Sequence, residues 1–181
     1  MAIRLELEPE SSFSPANLGI VVLLSGTVGA AVEAMNEGIP AIAFSGTTGA
    51  QTAWNVDTPS YSLVYGELAT IITTTLLESE VPYLPSGVWL NVNFPASTDS
   101  SCSVASDFDF VLSRIWTAVP LLDPPDVSTC GSTRLPTEMT VVGTSGCYVS
   151  ISVGDANKFD ADAAAQSVVL TKLASILTCL P

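Results

Sequence analysis

Residues 17–44 carry the pattern that most constrains the fold: a glycine-containing turn, an amphipathic helix and then a short apolar run. Four apolar residues of the helix follow the spacing i, i+3, i+4 and i+7, namely Val28, Ala31, Val32 and Met35. Gly38 suits the left-handed residue after a helix end, and Pro40 prevents the helix from continuing. The apolar run at 39–44 is typical of a strand buried on both faces. The stretch therefore predicts a helix followed by a central strand.

Strands and helices alternate through the first half of the chain, which favours the α/β class with a mainly parallel sheet. The predicted elements there are a strand at 20–24, the helix from residue 28, a strand at 39–44, a helix at 58–77 and a strand at 88–94. The second half is richer in strands, which favours a β-rich, antiparallel C-terminal extension. Its predicted elements are strands at 108–113, 139–142 and 147–153, then a helix at 161–177 capped by Asp160. Residues 1–16 show no clear period and are predicted to form a loop or a frayed start.

The charge and the missing residue types exclude several functions. Five Lys and Arg face 18 Asp and Glu, which gives a formal net charge of −13. Such a chain is a poor partner for nucleic-acid polymers or anionic membranes. The chain contains no histidine, so it cannot form a Ser-His-Asp triad or a histidine-ligated metal site. No run is long and apolar enough to span a membrane, and no signal peptide is visible.

The turn at Ser25-Gly26-Thr27 leads directly into the predicted helix. The first N–H groups of a helix lack internal partners, and the helix dipole adds partial positive charge there. Gly26 allows close approach to the backbone, while the hydroxyls of Ser25 and Thr27 add donors. The pattern fits an anion site, and it equally fits an ordinary capped helix.

Three segments resemble the SurE family of metal-dependent nucleotidases and acid phosphatases. They are SGTVGAAVEAMNEGIPAIAFSG at 25–46, LNVNFP at 90–95 and GCYVSISV at 146–153. Asn17 lies at the family's distance before the first segment. FSGTTGAQTAWNV and the ending SILTCLP resemble fungal members, so a secreted or vacuolar full-length form is expected.

The resemblance implies a SurE-like three-layer fold and a phosphomonoester hydrolase acting on nucleotides or small phosphate esters. Asn17, Ser25, Gly26 and Thr27 match positions that bind the phosphoryl oxygens in the family. The family also uses a divalent metal, Mg²⁺ or Mn²⁺, bound mainly by an adjacent pair of aspartates. A homo-oligomer is a further expected partner.

The chain departs from the family before residue 16. It contains no adjacent pair of aspartates, and Phe13 stands where the family has a metal-binding asparagine. We therefore expect residues 1–15 to be divergent or disordered, residues 16–181 to be the C-terminal part of the family's domain, and the N-terminal βα units to be missing. No metal ligand and no catalytic residue is assigned. The alternative is a catalytically inactive, truncated member.

Other acidic and aromatic residues have two interpretations each. Asp57, Asp155 and Asp160 are acidic candidates for a site, although turn or cap roles explain them as well. Trp54 and Trp89 could border a base-binding pocket or pack in the core.

The four cysteines also leave alternatives open, since they are either disulfide-bonded or buried free thiols. Four cysteines allow three pairings. In an oxidising compartment we predict Cys102–Cys130 and Cys147–Cys179. The second pair follows because a strand from Cys147 and a helix packed back on its sheet have similar lengths.

Overall fold

A computed structural model describes residues 2–6 as backbone, and residues 16–49, 53 and 55–181 in full. Its strands and helices, in chain order, are β1 Ala2–Glu6, α1 Val21–Leu24, α2 Gly26–Asn36, β2 Ala41–Gly46, α3 Ser60–Glu78, β3 Val88–Phe94, β4 Asp109–Ser113, α4 Glu138–Gly143, β5 Tyr148–Asp155, α5 Ala163–Lys172 and β6 Leu177–Thr178. No described helix is long and apolar enough to cross a bilayer.

The six strands form one sheet in the order β1-β2-β3-β5-β4-β6. Every neighbouring pair is parallel except β3 and β5, which are antiparallel. The predicted α/β class with a mainly parallel sheet is therefore confirmed. The predicted C-terminal strands extend this sheet as β4, β5 and β6, and in that extension only the β3–β5 pairing is antiparallel.

Helices cover both faces of the sheet, as a three-layer fold requires. On one face, α3 and α5 bury Tyr65, Leu68 and Val169 against strand residues such as Leu90. On the other face, α2 buries Val28 and Ala31, among others, in a smaller cluster that includes Trp89. Burial of these apolar surfaces is the main force that holds the layers together. Trp89 is fully buried there, so it is a core residue and not the edge of a pocket.

Four predicted elements differ from the structure. The predicted helix at 161–177 is shorter, because α5 ends at Lys172 and residues 177–178 form β6. Residues 21–24 form the short helix α1, not a strand. Residues 138–143 form the helix α4, because Thr137 accepts a hydrogen bond from the Thr140 N–H and caps it. Within the predicted loop at 1–16, Ala2–Glu6 form strand β1, paired in parallel with β2. The rest of that loop, apart from Ala16, lies outside the described residues.

Of the two residues predicted to end or cap a helix, one is right and one is wrong. Gly38 has φ +76°, which confirms the left-handed residue after α2. Asp160 does not cap the last helix. Asp162 does, by accepting a hydrogen bond from the Ala165 N–H at 2.8 Å.

Both predicted disulfide pairings are wrong, and the free-thiol alternative is also excluded. The bonds are Cys102–Cys147 and Cys130–Cys179, with Cα–Cα distances of 5.6 and 5.7 Å. After α5 the chain does not return to Cys147, because β6 pairs with β4. Cys179 therefore lies beside the segment that follows β4 and contains Cys130. Cys147 precedes β5, whose neighbour β3 leads to Cys102.

Candidate functional site

The sheet face that α2 covers changes from apolar to polar along β3. Strand register aligns Ser45 with Asn93 and Asn93 with Ser150. It likewise aligns Asn91 with Ser152. All five side chains are fully buried. We call this group, together with Ser113 opposite Ser152 on β4, the polar face. Buried polar groups are costly unless they are hydrogen-bonded, so such a concentration requires an explanation.

The first turn of α2 has the features of an anion site. Ser25 caps the helix by accepting a hydrogen bond from the Val28 N–H at 3.2 Å. Among the described residues, the N–H groups of Gly26 and Thr27 find no acceptor. Gly26 is exposed, so an anion can reach its backbone. The Thr27 hydroxyl is buried and has no partner within the described part of the chain. Unpaired N–H groups and the helix dipole both favour negative charge at this position.

The topology brings this turn towards the polar face. α2 precedes β2 and packs on β2 and β3, and its last residue is followed within a few residues by the start of β2. Because the helix returns along the sheet, its N-terminus lies at the carboxyl end of β2, where Ser45 is located. Ligands of open α/β sheets bind outside the carboxyl ends of the strands.

Asn17 is anchored to the same face. Its side-chain amide donates a hydrogen bond to the Ser45 hydroxyl at 2.5 Å. Its backbone carbonyl accepts one from the Asn91 amide at 2.8 Å. Asn17 is 4% exposed. Within the described residues no hydrogen bond joins Asn17 directly to Ser25, Gly26 or Thr27, so their combination into one phosphate pocket remains a prediction.

Glu138, at the start of α4, is a buried residue that sequence reasoning missed. Its Oε1 accepts a hydrogen bond from the Gly19 N–H at 2.8 Å. Its Oε2 accepts one from the Asn91 amide at 2.8 Å and a longer one from the Ser152 hydroxyl at 3.3 Å. Because its partners are far away in sequence, no local motif marked it. The one signal in the sequence is that Glu138 directly precedes a mainly apolar run, MTVV. That position indicates a buried residue and not a solvent-exposed cap.

The environment of Glu138 makes its carboxyl hard to ionise. Burial raises its pKa from 4.5 to about 8, although the hydrogen bonds from Gly19, Asn91 and Ser152 act in the opposite direction. Asp160 raises the pKa slightly further. A buried carboxyl without a cationic partner favours the neutral form. Glu138 therefore gains or loses its proton within the range of pH in which proteins are usually studied.

The residues present do not suit a dedicated divalent-metal site. Mg²⁺ and Mn²⁺ prefer carboxylate and other oxygen ligands. On the polar face, the side-chain oxygens of Asn91, Asn93 and Ser150 have no hydrogen-bond partner among residues that the structure describes, but these oxygens are neutral. Both carboxylate oxygens of Glu138 already accept hydrogen bonds. The described residues contain no group of three or more His, Cys, Asp or Glu that could hold a metal ion.

A second polar cluster lies at the opposite ends of β3 and β5. Asp160 accepts hydrogen bonds from the N–H groups of Ile115 and Trp116 at 2.6 and 3.1 Å. The Arg114 guanidinium is 3.4 Å from Asp160 and 2.9 Å from Asp126. A cavity of about 720 Å³ borders this cluster and is also lined by Asp155. The ion pairs explain Asp160 as a structural residue, and Asp57 is exposed and remote from both clusters in sequence. Trp54 lies outside the described residues.

Comparison with known proteins points to one family. The model of the family described as survival protein SurE matches residues 14–115. A 5'-nucleotidase SurE of Azorhizobium caulinodans is 42% identical over 82 residues, which are 45% of this chain and 29% of that protein. The 5'-nucleotidase SurE 1 of Thermus thermophilus is 42% identical over 81 residues, 45% of this chain and 28% of that protein.

A longer match extends across the second half of the chain. An acid phosphatase of Yarrowia lipolytica is 33% identical in an alignment of 164 positions that covers 76% of this chain and 46% of that protein. The chain thus spans less than half the length of each of these relatives. The crystal structure of a SurE protein from Aquifex aeolicus aligns with a TM-score of 0.49 at 20% identity, over 85% of this chain and 59% of that one. Because the family model covers more than half of its residues, this chain belongs to the SurE family.

Proposed function

We propose that this chain forms the phosphate-binding part of a phosphomonoester hydrolase that acts on nucleotides or other small phosphate esters. The observation that carries the proposal is the first turn of α2, where two N–H groups and the buried Thr27 hydroxyl have no partner among the described residues. The names of the relatives, 5'-nucleotidase and acid phosphatase, support the substrate class.

The chemistry follows from the charge of the phosphoryl group. A phosphate dianion needs several donors, and the chain supplies them from a helix start because it has few cations to offer. The N–H groups of Gly26 and Thr27 hold phosphoryl oxygens, the Thr27 hydroxyl donates a further hydrogen bond, and the second N–H of the Asn17 amide orients the group. Preorganised donors of this kind stabilise the charge that develops during phosphoryl transfer.

Hydrolysis needs more than these residues provide. A bound divalent metal would supply polarisation of the phosphoryl group in an enzyme of this kind. The 181 residues hold no adjacent pair of aspartates, and the described residues do not fit a metal site. The second candidate function is therefore phosphate-ester binding without turnover. A homo-oligomer and a secreted or vacuolar location remain predictions.

Binding and turnover are tested separately. We expect the purified chain to bind inorganic phosphate, measured by calorimetry, and a crystal soaked in sulfate to show an anion at Gly26 and Thr27. We expect hydrolysis of a generic phosphate ester to stay at the level of the blank, with or without Mg²⁺ or Mn²⁺.

A matched pair of variants makes the test specific. Thr27→Val removes the buried hydroxyl at nearly constant volume and should lower phosphate affinity about tenfold, as expected for one hydrogen bond to a charged group. Thr70→Val removes an exposed hydroxyl that bonds only within α3 and should leave affinity unchanged. Unchanged affinity in Thr27→Val, or an anion bound elsewhere, would refute the site. Metal-stimulated turnover that Thr27→Val abolishes would refute the binding-only candidate.

A further inference from the structure

Glu138 joins three separate parts of the chain at one buried point. Its carboxyl contacts the backbone of Gly19, the Asn91 amide on β3 and the Ser152 hydroxyl on β5. Gly19 and Glu138 are 119 residues apart in sequence. The residue is 0% exposed, so neither solvent nor a surface ion pair explains its presence. A buried carboxyl is retained in place of a neutral residue where its two acceptor oxygens are needed.

The segment that contains Asn17 depends on this point. Asn91 uses its amide to bind both the Glu138 carboxylate and the Asn17 carbonyl, each at 2.8 Å. Glu138 therefore holds residue 19 directly and residue 17 through Asn91. Asn17 in turn contacts Ser45. We propose that Glu138 is a positioning residue that fixes the Asn17–Gly19 segment, and with it the phosphate ligand Asn17, on the polar face. The inference rests on the proposed phosphate-binding function of Asn17.

The hydrogen-bond directions show why a carboxyl suits this position. Its partners among the described residues are all donors: one backbone N–H, one hydroxyl, the Asn91 amide and, at 3.5 Å, the Asn93 amide. A carboxylate accepts all of them. After protonation, Oε2 can donate to Ser152, because the Ser152 hydroxyl can then donate to Ser113 at 2.8 Å. The contacts are thus kept in both protonation states by rotation of hydroxyl hydrogens alone.

Glutamine at this position would break the arrangement. Its Oε1 can still accept from Gly19, but its NH₂ group would face the NH₂ group of Asn91. Relief requires the Asn91 amide to turn, which places its Oδ1 towards residue 138 and removes the donor to the Asn17 carbonyl. Glu138→Gln therefore keeps the size of the side chain and releases Asn17.

The test measures the segment and phosphate binding independently. In the Glu138→Gln chain we expect the Gly19 and Leu18 amides to exchange with solvent at least tenfold faster, by NMR at constant pH. We also expect affinity for inorganic phosphate to fall about tenfold at pH 6. The matched control is Glu37→Gln, an exposed residue after α2, which should change neither quantity. Near-UV circular dichroism verifies that each chain is folded.

A pH titration of the unchanged chain provides a measurement that a purely structural role of Glu138 would not affect. α4 packs against β3, β4 and β5. The charged residues on or beside those strands are Asp109, Arg114, Asp155 and Asp160, of which Asp160 raises the pKa of Glu138. The Gly19 amide resonance should shift in one step with a midpoint near pH 8, and Glu138→Gln should abolish that step.

The outcomes separate the two proposals. If Glu138→Gln leaves both Gly19 exchange and its pH step unchanged, the positioning role is refuted, whatever the affinity. If phosphate binds the unchanged and the Glu138→Gln chain equally while Gly19 exchange rises, the role in holding Asn17 as a ligand is refuted and the phosphate site stands. If no chain binds phosphate, the proposed function fails, and the Gly19 measurements alone support or refute the anchoring of the segment.

Discussion

Two buried carboxylate clusters of this molecule are stabilised in opposite ways. At the end of the sheet near Trp116, Asp126 and Asp160 face the guanidinium of Arg114. On the polar face, the donors to Glu138 from the described part of the chain are all neutral. The first cluster compensates buried charge with opposite charge, although burial also raises the pKa of Asp160. The second compensates it with hydrogen bonds from neutral donors, and burial raises the pKa of Glu138 to about 8. Paired charges of this kind are typical of structural sites, and an unpaired titrating group is more typical of a functional one.

Removing the Arg114 guanidinium should have the largest effect on stability. In Arg114→Met, Asp126 and Asp160 remain buried without their partner, and we expect the free energy of unfolding to fall by about 3–5 kcal/mol. Urea denaturation at pH 7 measures this. The control is Arg134→Met, since Arg134 also contacts Asp126 but its side chain is 37% exposed, and it should cost less than 1 kcal/mol. Equal effects would show that Arg114 is not the main partner of the acids.

Removing one disulfide should have the next largest effect, and it should affect the charged cluster more than the polar face. Cys130–Cys179 closes a sequence separation of 49 next to the segment that carries Asp126. Replacing both cysteines with alanine should lower the free energy of unfolding by roughly 2–4 kcal/mol. Hydrogen exchange should rise more at the amide of Leu135, which bonds Asp126, than at Gly19. A larger rise at Gly19 would contradict the assignment of this disulfide to the charged cluster.

The pH dependence of stability tests the uncharged cluster. The folded pKa of Glu138 is raised from 4.5 to about 8, so the folded state binds the proton more tightly than the unfolded state. This contribution is fully present below pH 4.5 and is lost as the pH rises through 8. Since one unit of pKa shift is worth about 1.4 kcal/mol, the difference in stability between the unchanged chain and Glu138→Gln should shrink by a few kcal/mol across this window. A difference that does not change with pH would contradict a protonated Glu138.

The smallest effect is expected at Thr27. Its hydroxyl is buried without a partner in the described part of the chain, so Thr27→Val should leave the free energy of unfolding within about 0.5 kcal/mol of the original or raise it. Ser25→Ala, which removes the cap of the same helix, should cost about 1 kcal/mol. Thermal denaturation compares the two. A large loss in Thr27→Val would mean that its hydroxyl serves the fold and not a ligand.

Sequence patterns within a single segment correctly predicted some strands and helices. Strand β3 was predicted at 88–94 and is found there, because an apolar run that ends at Pro95 has few alternatives. A helix from Val28 was predicted by its apolar spacing, and it is found from Gly26 onward with Ser25 as its cap. Residues 139–142 were predicted as a strand, since β-branched residues favour strands. The Thr137 cap and the buried bonds of Glu138 outweighed that preference.

The site and the disulfides depended on distant contacts, which the sequence alone did not provide. The polar face arises only when β2, β3 and β5 pair in one register. Glu138 gains its partners from Gly19, from Asn91 on β3 and from Ser152 on β5. The disulfide pairing failed for a similar reason, because the position of Cys179 depends on the pairing of β6 with β4.

The interlaced order of the disulfides has a consequence for proteolysis. The second bond begins inside the span of the first, and the first ends inside the span of the second, so together they bridge every peptide bond between Cys102 and Cys179. The long connection after β4 exposes Leu121 and Leu122, which makes it accessible to a protease. A single cut there leaves two fragments that migrate as one species on a non-reducing gel and separate only after reduction. The sequential pairing would have let a cut between 131 and 146 divide the chain, so this half of the protein can be nicked without losing a fragment.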